Sequence, residues 1–324
     1  MTDFVVRAEG LVKRFGTTRA LDGVDLAMAR GTVLGVLGPN GAGKTTVVRV
    51  LATLLRADSG RAEVAGIDVR RHPERVRRRI GLTGQYASVD EDLTGRQNLV
   101  LIGRLLDLSR RDAHRRATEL LDWFDLSAAA ARPAKTYSGG MRRRLDLAAS
   151  LVGHPEVIFL DEPTTGLDPA KREDMWGVVR TQVAAGASVM LTTQYLDEAD
   201  ALADEIVVMD GGRVIAHDTP EGLKRRVGGQ TLRVRPADPA RLADVLAVLD
   251  AVAAPGTSAS APAGAGSRPG AAAVPVTGDG VLAGVAVALA NAGIEVTELA
   301  LHLPSLDEVF HTLTTRAVLP KELV

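Results

Sequence analysis

Two short segments of this 324-residue chain combine residue types that could bind and cleave a phosphoanhydride. The first, GPNGAGKT at residues 38–45, matches the pattern G-x-x-x-x-G-K-[ST]. Its glycines let successive backbone amides point at phosphate oxygens. The second, VIFLDE at residues 157–162, ends an apolar run with two carboxylates. Because burying unpaired charge is costly, we interpret these carboxylates as functional and predict a nucleoside triphosphate site.

Each of these residues has an expected task in phosphoryl transfer. Lys44 is expected to reach the β- and γ-phosphates, and the Thr45 hydroxyl to take a Mg²⁺ position. Asp161 is expected to hold Mg²⁺ directly or through water, while Glu162 orients or deprotonates the attacking water. The alternatives are a chance glycine loop, and a carboxylate that merely caps the turn at Pro163.

The elements that must position these residues alternate between strands and helices. Residues 33–37 form an apolar run typical of a buried strand, and helical spacing of apolar residues follows the glycine-rich segment. Residues 157–160 and 189–191 predict further buried strands, and Asp168 before Pro169 predicts a helix start. This alternation indicates an α/β fold with a largely parallel sheet that is covered on both faces.

The length favours about two domains. Residues 99–126 are helix-rich, which predicts a helical subdomain at about residues 86–153, with Ser138 capping the helix that follows. The composition changes at a glycine pair, so we predict a nucleotide-binding domain over residues 1–229 and a small α/β accessory domain over residues 230–324.

The predicted C-terminal domain contains an Ala/Gly/Pro/Ser-rich tract at residues 251–280, which we expect to be a flexible loop. The sequence SLDE at residues 305–308 resembles a capping box that opens a last helix. Other patterns in this domain predict strands at residues 231–235, 274–277 and 294–301, and helices at residues 241–249 and 281–292.

Composition excludes several classes of protein. With 39 Lys and Arg against 40 Asp and Glu, the net charge of −1 demands neither nucleic acid nor an anionic membrane as partner. The basic runs at residues 70–79 and 142–144 lack groove-reading elements, so we interpret them as solvated helical faces and predict no nucleic-acid partner. The absence of cysteine excludes a disulfide framework. We find no secretory signal, and the longest apolar run, residues 281–290, is too short to span a bilayer, so we expect a soluble chain.

In combination, the motifs resemble the nucleotide-binding subunit of ABC transporters. Residues 38–46 (here the phosphate loop), Gln85, residues 137–141 (YSGGM), residues 157–162 and residues 166–169 follow the order of that family. The SGG run distinguishes the family, because other phosphate-loop ATPases lack it at this place. The resemblance implies an ABC-type nucleotide-binding domain with an inserted helical subdomain, which uses ATP and Mg²⁺ and releases ADP and phosphate.

The resemblance further implies a head-to-tail dimer of two copies. Ser138, Gly139 and Gly140, here the signature loop, would complete the site over phosphates that Lys44 of the other copy holds, and Asp168 would reach the partner's phosphate loop. The implied metal positions are Thr45, Gln85 and Asp161. The implied nucleotide-binding set is Phe15, Gly38, Pro39, Asn40, Gly41, Ala42, Gly43, Lys44, Thr45, Thr46, Gln85, Ser138, Gly139, Gly140, Asp161 and Asp168.

Some implied roles compete with simpler interpretations. Phe15 lies where the family carries an aromatic residue stacked on adenine, and the alternative is an ordinary core phenylalanine. Gln85 would sense Mg²⁺ and the γ-phosphate. Tyr86, Asp90 and Leu93 are candidates for contact with a membrane partner, or simple loop residues.

The chain departs from the family at Gln194, which stands where a histidine is usual. Glutamine offers an amide donor and acceptor but cannot be protonated near neutral pH. We therefore expect Gln194 to orient γ-phosphate and water by hydrogen bonding, and Glu162 to be the main catalytic group.

Gln194, residues 84–95 and the terminal SLDEVF resemble one subgroup, the daunorubicin-resistance-type ATP-binding subunits of drug exporters. This implies a catalytic set of Glu162, Gln194 and Lys44, a separate transmembrane permease, a peripheral position on the cytoplasmic side of the membrane, and a drug-like or lipophilic cargo. The alternatives are export of lipid or polysaccharide, a soluble ABC ATPase of translation or repair, and a regulator that binds but barely hydrolyses nucleotide. A single cassette without a heptad run argues against the translation and repair classes.

Overall fold

The chain divides into two compact units, Met1–Pro220 and Glu221–Val324. The division therefore lies N-terminal to the boundary between residues 229 and 230 that the glycine pair predicts. Within the described residues, no helix combines the length and apolar character that crossing a bilayer requires. The computed structural model describes residues 3–84, 89–227, 230–251, 259, 271–276, 280–302, 306, 309 and 310.

A six-stranded sheet forms the centre of the first unit. Five neighbouring strands pair in parallel, and one edge strand, Arg213–Asp218, pairs antiparallel. This confirms the largely parallel sheet that the alternation of elements predicts. In spatial order the strands are Arg213–Asp218 (β10), Glu205–Asp210 (β9), Val33–Leu37 (β3), Ser188–Thr193 (β8), Val157–Asp161 (β7) and Ile80–Thr83 (β6).

Strand β7 explains why the central strands are continuously apolar. Its five residues are all buried. Val157 and Phe159 belong to one core cluster, whereas Ile158 and Leu160 belong to another. Because successive side chains of a strand point to opposite faces, both faces of the sheet are covered.

An antiparallel four-stranded sheet supplies the cover of one face, together with the helix that follows the phosphate loop, Lys44–Leu51 (α1). The sequence patterns considered above do not predict this sheet. Its strands, in spatial order, are Thr18–Ala29 (β2), Phe4–Phe15 (β1), Ser59–Val64 (β4) and Ile67–Asp68 (β5).

Helices supply the cover of the other face. Between β6 and β7 the described residues contain helices and short turns but no strand longer than an isolated bridge. Ser138 caps the helix that follows it, as predicted, by accepting a hydrogen bond from the Met141 amide at 3.3 Å. The helices of this unit after α1 are Pro73–Arg77 (α2), Gly95–Leu105 (α3), Arg110–Trp123 (α4), Gly139–Ser150 (α5), Pro169–Ala184 (α6) and Leu196–Leu202 (α7), with 3₁₀ turns at Ser127–Ala129 and Ala134–Thr136.

The second unit is a small α/β domain around a three-stranded antiparallel sheet. Leu232 and Val234 of its central strand pack with Val245 and Leu249 of a helix in one hydrophobic cluster. In spatial order the strands are Ala272–Val276 (β12), Gln230–Pro236 (β11) and Val296–His302 (β13). The helices are Pro220–Val227 (α8), Leu242–Asp250 (α9) and Val281–Asn291 (α10), with a 3₁₀ turn at Pro239–Arg241.

The expectation of a flexible loop over residues 251–280 is wrong at Ala272–Val276. That segment is strand β12, and Ala272, Val274 and Val276 are buried in the domain core. Alternating small apolar side chains therefore suffice to pair with β11. Most of the remaining tract, together with Ser305, Asp307 and Glu308 of the expected capping box, lies outside the described residues.

Candidate active site

The carboxyl ends of neighbouring parallel strands meet where the phosphate loop leaves the sheet. Leu37 at the end of β3 is paired with Thr193 of β8, and Thr192 of β8 is paired with Asp161 of β7. In open α/β sheets, ligands bind beyond these carboxyl ends. The topology therefore brings the glycine-rich segment and the paired carboxylates to one edge.

Two glycines of the phosphate loop are required by close backbone approaches. A Cβ atom on Gly38 would lie 2.4 Å from the Met209 carbonyl oxygen, and one on Gly43 would lie 2.5 Å from the Ala20 carbonyl oxygen. Gly43 also has a φ of 102° and precedes α1 without a side-chain cap. The first amides of α1 are therefore not bonded to a capping side chain, and such amides suit an anion.

The Lys44 ammonium is buried and folded back over its own loop. Its Nζ donates to the carbonyl oxygens of Gly38 at 2.8 Å and Pro39 at 3.1 Å. Glu162 Oε1 lies 3.8 Å from the same nitrogen. Burial lowers the pKa of Lys44, and the carboxylates of Glu162 and Asp161 oppose that shift. The lysine thus lies between the phosphate loop and the acid pair.

Asp161 is held by hydroxyl groups from two other elements. Thr45 Oγ1 donates to Asp161 Oδ1 at 3.0 Å, and Thr192 Oγ1 donates to the same oxygen at 2.6 Å. Asp161 is only 5% exposed. The phosphate loop and the end of β7 are therefore in direct contact through the two residues that are expected to hold Mg²⁺.

Glu162 has a backbone conformation that glutamate rarely adopts. Its φ is 51°, in the left-handed region. Its amide donates to the carbonyl oxygen and the hydroxyl of Thr192, both at 3.1 Å, and Thr165 Oγ1 donates to Glu162 Oε2 at 3.3 Å. These bonds fix a strained turn directly after the strand, and strain of this kind concentrates at functional sites.

The signature loop and Asp168 lie together, apart from these contacts. Asp168 accepts from the Lys171 amide at 3.0 Å and caps α6, and the ion pair with Lys171 lowers the pKa of Asp168. Ser138 and Gly140 line a cavity of about 440 Å³ with Lys171. Among the described residues, no hydrogen bond of Ser138 or Asp168 reaches the phosphate loop of the same chain.

The remaining predicted site residues have different surroundings. Phe15 is 51% exposed, which excludes the core interpretation, and Lys13 Nζ lies 5.7 Å from its ring centroid. Gln194 is exposed beside the end of β8. Gln85 and Tyr86 lie outside the described residues. The other phosphate-loop positions form an exposed tip and a buried base: Pro39, Asn40 and Gly41 are exposed, Ala42 is buried, and Thr46 is half-buried.

The other candidates for contact with a membrane partner differ in exposure. Asp90 is exposed, and its amide donates to Asn98 Oδ1 at 2.7 Å. Leu93 is half-buried and lines an open groove with Val100 and Leu101. Both interpretations of these residues stay open.

The basic run at residues 142–144 is not a solvated helical face, and that interpretation is wrong. Arg143 donates to three backbone carbonyl oxygens, and burial lowers the pKa of its guanidinium. Arg142 pairs with Glu91 at 2.8 Å, and Arg144 donates to the Phe124 carbonyl at 3.1 Å. In residues 70–79, by contrast, the arginine side chains are exposed, as a solvated face predicts.

Sequence reasoning also missed Thr192 and Glu198. Glu198 of α7 is fully buried, and the Trp176 indole donates to its Oε1 at 3.3 Å. Burial raises the pKa of this carboxyl, against the opposing influence of the Thr193, Thr164 and Trp176 donors. The sequence around Glu198 is that of an ordinary short helix. A glutamate beside Ala199 gives no indication from sequence alone that its side chain is buried.

The fold and this arrangement define a phosphate-loop ATPase. Residues 21–165 match the ABC transporter family. The daunorubicin resistance ATP-binding protein DrrA2 of Streptomyces coeruleorubidus is 56% identical over 316 residues, which cover 97% of this chain and 96% of that protein. The doxorubicin resistance ATP-binding protein DrrA of Mycobacterium tuberculosis (strain CDC 1551 / Oshkosh) is 46% identical over 324 residues. The alignment covers 97% of this chain and 94% of that protein.

A solved structure with a similar fold supports the same family assignment. The ADP conformation of an ATP-binding cassette of an ABC transporter superposes with a TM-score of 0.63 at 28% identity, covering 70% of this chain and 95% of that chain. The chain belongs to the ABC transporter ATP-binding proteins, within the subgroup of drug-resistance exporter subunits. It binds ATP and is an ATPase coupled to transport, which confirms the resemblance of its motifs.

Proposed function

We propose that this chain powers a separate membrane permease that exports a drug-like or lipophilic molecule, by Mg²⁺-dependent hydrolysis of ATP. One observation carries the assignment of the reacting centre. The Thr45 hydroxyl, the Asp161 carboxylate and the Lys44 ammonium, with Glu162 at 3.8 Å from that ammonium, converge at the carboxyl ends of β3 and β7.

The donor set at this point fits a magnesium ion. Thr45 and Asp161 present oxygen atoms, the ligand type that Mg²⁺ prefers, and Asp161 Oδ1 already contacts the Thr45 hydroxyl at 3.0 Å. Gln85, which lies outside the described residues, is proposed as a further oxygen ligand. When bound, the ion would neutralise charge that develops on the phosphate oxygens.

Lys44 and Glu162 divide the remaining work. The Lys44 ammonium, which donates to the Gly38 and Pro39 carbonyls of the phosphate loop, would donate to phosphate oxygens when ATP is bound. Glu162 accepts a proton from, or orients, the water that attacks the γ-phosphate. Gln194 assists by hydrogen bonding at the end of β8.

The signature loop serves a second copy of the chain. Ser138 and Gly139 start α5 with an exposed hydroxyl and amide groups, which form an anion cradle. Their position beside Lys171, without hydrogen bonds to their own phosphate loop among the described residues, supports a head-to-tail dimer in which each ATP contacts both copies. In this dimer Asp168 faces the partner's phosphate loop, and Phe15 stacks on adenine.

The relatives support a proposal for the cargo and the location. Proteins named for daunorubicin and doxorubicin resistance align with nearly the whole chain. We therefore propose an antibiotic-like cargo and a peripheral position at the cytoplasmic face of the membrane. We further propose that the C-terminal unit, Glu221–Val324, is an accessory domain and that the unit Met1–Pro220 is the nucleotide-binding domain.

The test is single-turnover hydrolysis by Glu162→Gln, compared with wild type and with Glu63→Gln, an exposed control on β4. Loss of the group that activates water should slow hydrolysis by about 100-fold or more, with ATP binding retained. Glu63→Gln should match wild type. Hydrolysis by Glu162→Gln at the wild-type rate would contradict the proposed role.

A further inference from the structure

Arg143 connects three pieces of the catalytic unit. It lies in the second turn of α5, the helix that the signature loop begins. Its Nε donates to the Pro163 carbonyl at 2.9 Å, Nη1 to the Gly84 carbonyl at 3.1 Å, and Nη2 to the Glu162 carbonyl at 3.2 Å. One side chain therefore bonds α5, the end of β6 and the turn after β7.

Only a guanidinium can make this set of bonds. Its donors lie in one rigid plane, whereas a lysine ammonium is a single point on a flexible stem. Each of the three donors reaches a different carbonyl oxygen. Burial lowers the pKa of Arg143, and the surrounding carboxylates of Asp146, Glu198 and Asp161 oppose this shift. The charge is thus retained inside the protein, where its hydrogen bonds are stronger than at the surface.

The bonded atoms belong to residues at the reacting centre. Glu162 is the proposed catalytic carboxylate, and Arg143 holds its backbone rather than its side chain. Gly84 immediately precedes Gln85, the expected sensor of the γ-phosphate. At the other end of the connection, α5 carries Ser138 at its N-terminus. A shift of the Glu162 turn or of Gly84 would therefore pull on the helix that presents the signature loop.

We propose that Arg143 is a positioning residue that couples the catalytic turn of one copy to the signature loop, and so to the nucleotide held by the other copy. The inference rests on the proposed dimer. When the turn at Glu162 and Pro163 settles around one ATP, Arg143 sets the position of α5, and the signature loop engages the second ATP. The two sites then close together.

The dimer itself provides the test. The full-length Glu162→Gln chain is incubated with Mg²⁺ and ATP, and the dimer fraction is measured by light scattering across an ATP titration. Arg143→Lys in the same background should raise the half-maximal ATP concentration by about tenfold or more, the loss expected when charge-assisted hydrogen bonds are removed. The Hill coefficient should fall toward one, while binding of a fluorescent ATP analogue to dilute monomer stays unchanged.

Arg116→Lys is the matched control. Arg116 is also held by a backbone carbonyl, that of Leu151 at 2.9 Å, and burial also lowers its pKa. Among the described residues, however, no hydrogen bond joins it to Gly84, Glu162 or Pro163. It should dimerise like the parent Glu162→Gln chain. Equal titrations for Arg143→Lys and Arg116→Lys would overturn the coupling role. Failure of the Glu162→Gln parent to dimerise at all would instead overturn the proposed dimer, and the coupling with it.

A second variant separates positioning from general stability. Arg143→Ala removes the guanidinium group and its three hydrogen bonds. Added guanidinium ion at millimolar concentration should restore ATP-dependent dimerisation of this variant, whereas ammonium ion should not. A merely structural arginine would show a lowered melting temperature without this selective rescue. Absence of rescue in a variant that keeps its melting temperature would also overturn the proposal.

Discussion

Replacing Thr192 with valine removes one hydroxyl from the centre of the site while keeping the shape of the side chain. That hydroxyl donates to Asp161 Oδ1 at 2.6 Å and accepts from the Glu162 amide at 3.1 Å. The Glu162 amide retains its bond to the Thr192 carbonyl, and Asp161 retains the Thr45 hydroxyl. The loss is therefore essentially one hydrogen bond to a buried charged group, about 1.5–3 kcal/mol of unfolding free energy.

Denaturant unfolding of the wild-type and Thr192→Val proteins measures this free energy, and single-turnover hydrolysis measures the effect on chemistry. The loss corresponds to a factor of about 10 to 160 in the folding equilibrium. We expect hydrolysis to fall as well, because Asp161 loses one of the two hydroxyl donors that orient it.

Thr83→Val at the end of β6, which lies two strands from β8 in the same sheet, is the control. Thr83 is also fully buried, but among the described residues its hydroxyl has no hydrogen-bond partner. The same substitution should therefore cost little or be stabilising. If Thr83→Val costs as much as Thr192→Val, the hydrogen bond to Asp161 is not the cause, and the reasoning is refuted.

Four further predictions follow from the site and its surroundings. Gly38→Ala should lower the melting temperature and weaken ATP binding, because the new Cβ would lie 2.4 Å from a carbonyl oxygen. Gly177→Ala in α6, with nothing within 4 Å, should stabilise the protein by about 0.5–1 kcal/mol in thermal unfolding, and a loss there would contradict the helix-propensity argument. Gln194→Ala should slow single-turnover hydrolysis while Gln194→His preserves it; an alanine variant at the wild-type rate would show that the residue is a bystander. Because burial raises the pKa of Glu198, the folded state binds that proton more tightly, so the contribution of this carboxyl to stability falls as pH rises from its ordinary value of 4.5 upward. Relative to wild type, Glu198→Gln should therefore gain melting temperature as pH rises through this range, and a pH-independent difference would contradict the assignment.

The parts of the site that the sequence predicts are local. The phosphate loop is recognisable because its glycines, lysine and threonine act within eight consecutive residues, and the paired acids because they end an apolar run. Ser138 and Asp168 are predictable as caps, since a capping side chain bonds an amide three residues on. In each case the physical cause lies inside a short window of the chain.

The parts that the sequence does not predict depend on distant partners. Thr192 bonds Asp161 across 31 positions, and Arg143 bonds Gly84 across 59. A threonine in a strand or an arginine in a basic run looks ordinary until the sheet order is known. The four-stranded antiparallel sheet of the first unit was not predicted for a related reason. Strand β1 contains register shifts against β2, and its charged residues interrupt the simple alternation that predicts strands.

The left-handed backbone at Glu162 has an evolutionary consequence. Side chains with a Cβ are disfavoured at a φ of 51°, a penalty that glycine avoids. Selection for thermal stability should therefore favour a different residue at position 162 from the glutamate that selection for ATP hydrolysis favours. Random libraries screened only for survival at high temperature should enrich glycine or asparagine at position 162, whereas libraries screened for resistance to an exported toxin should keep glutamate.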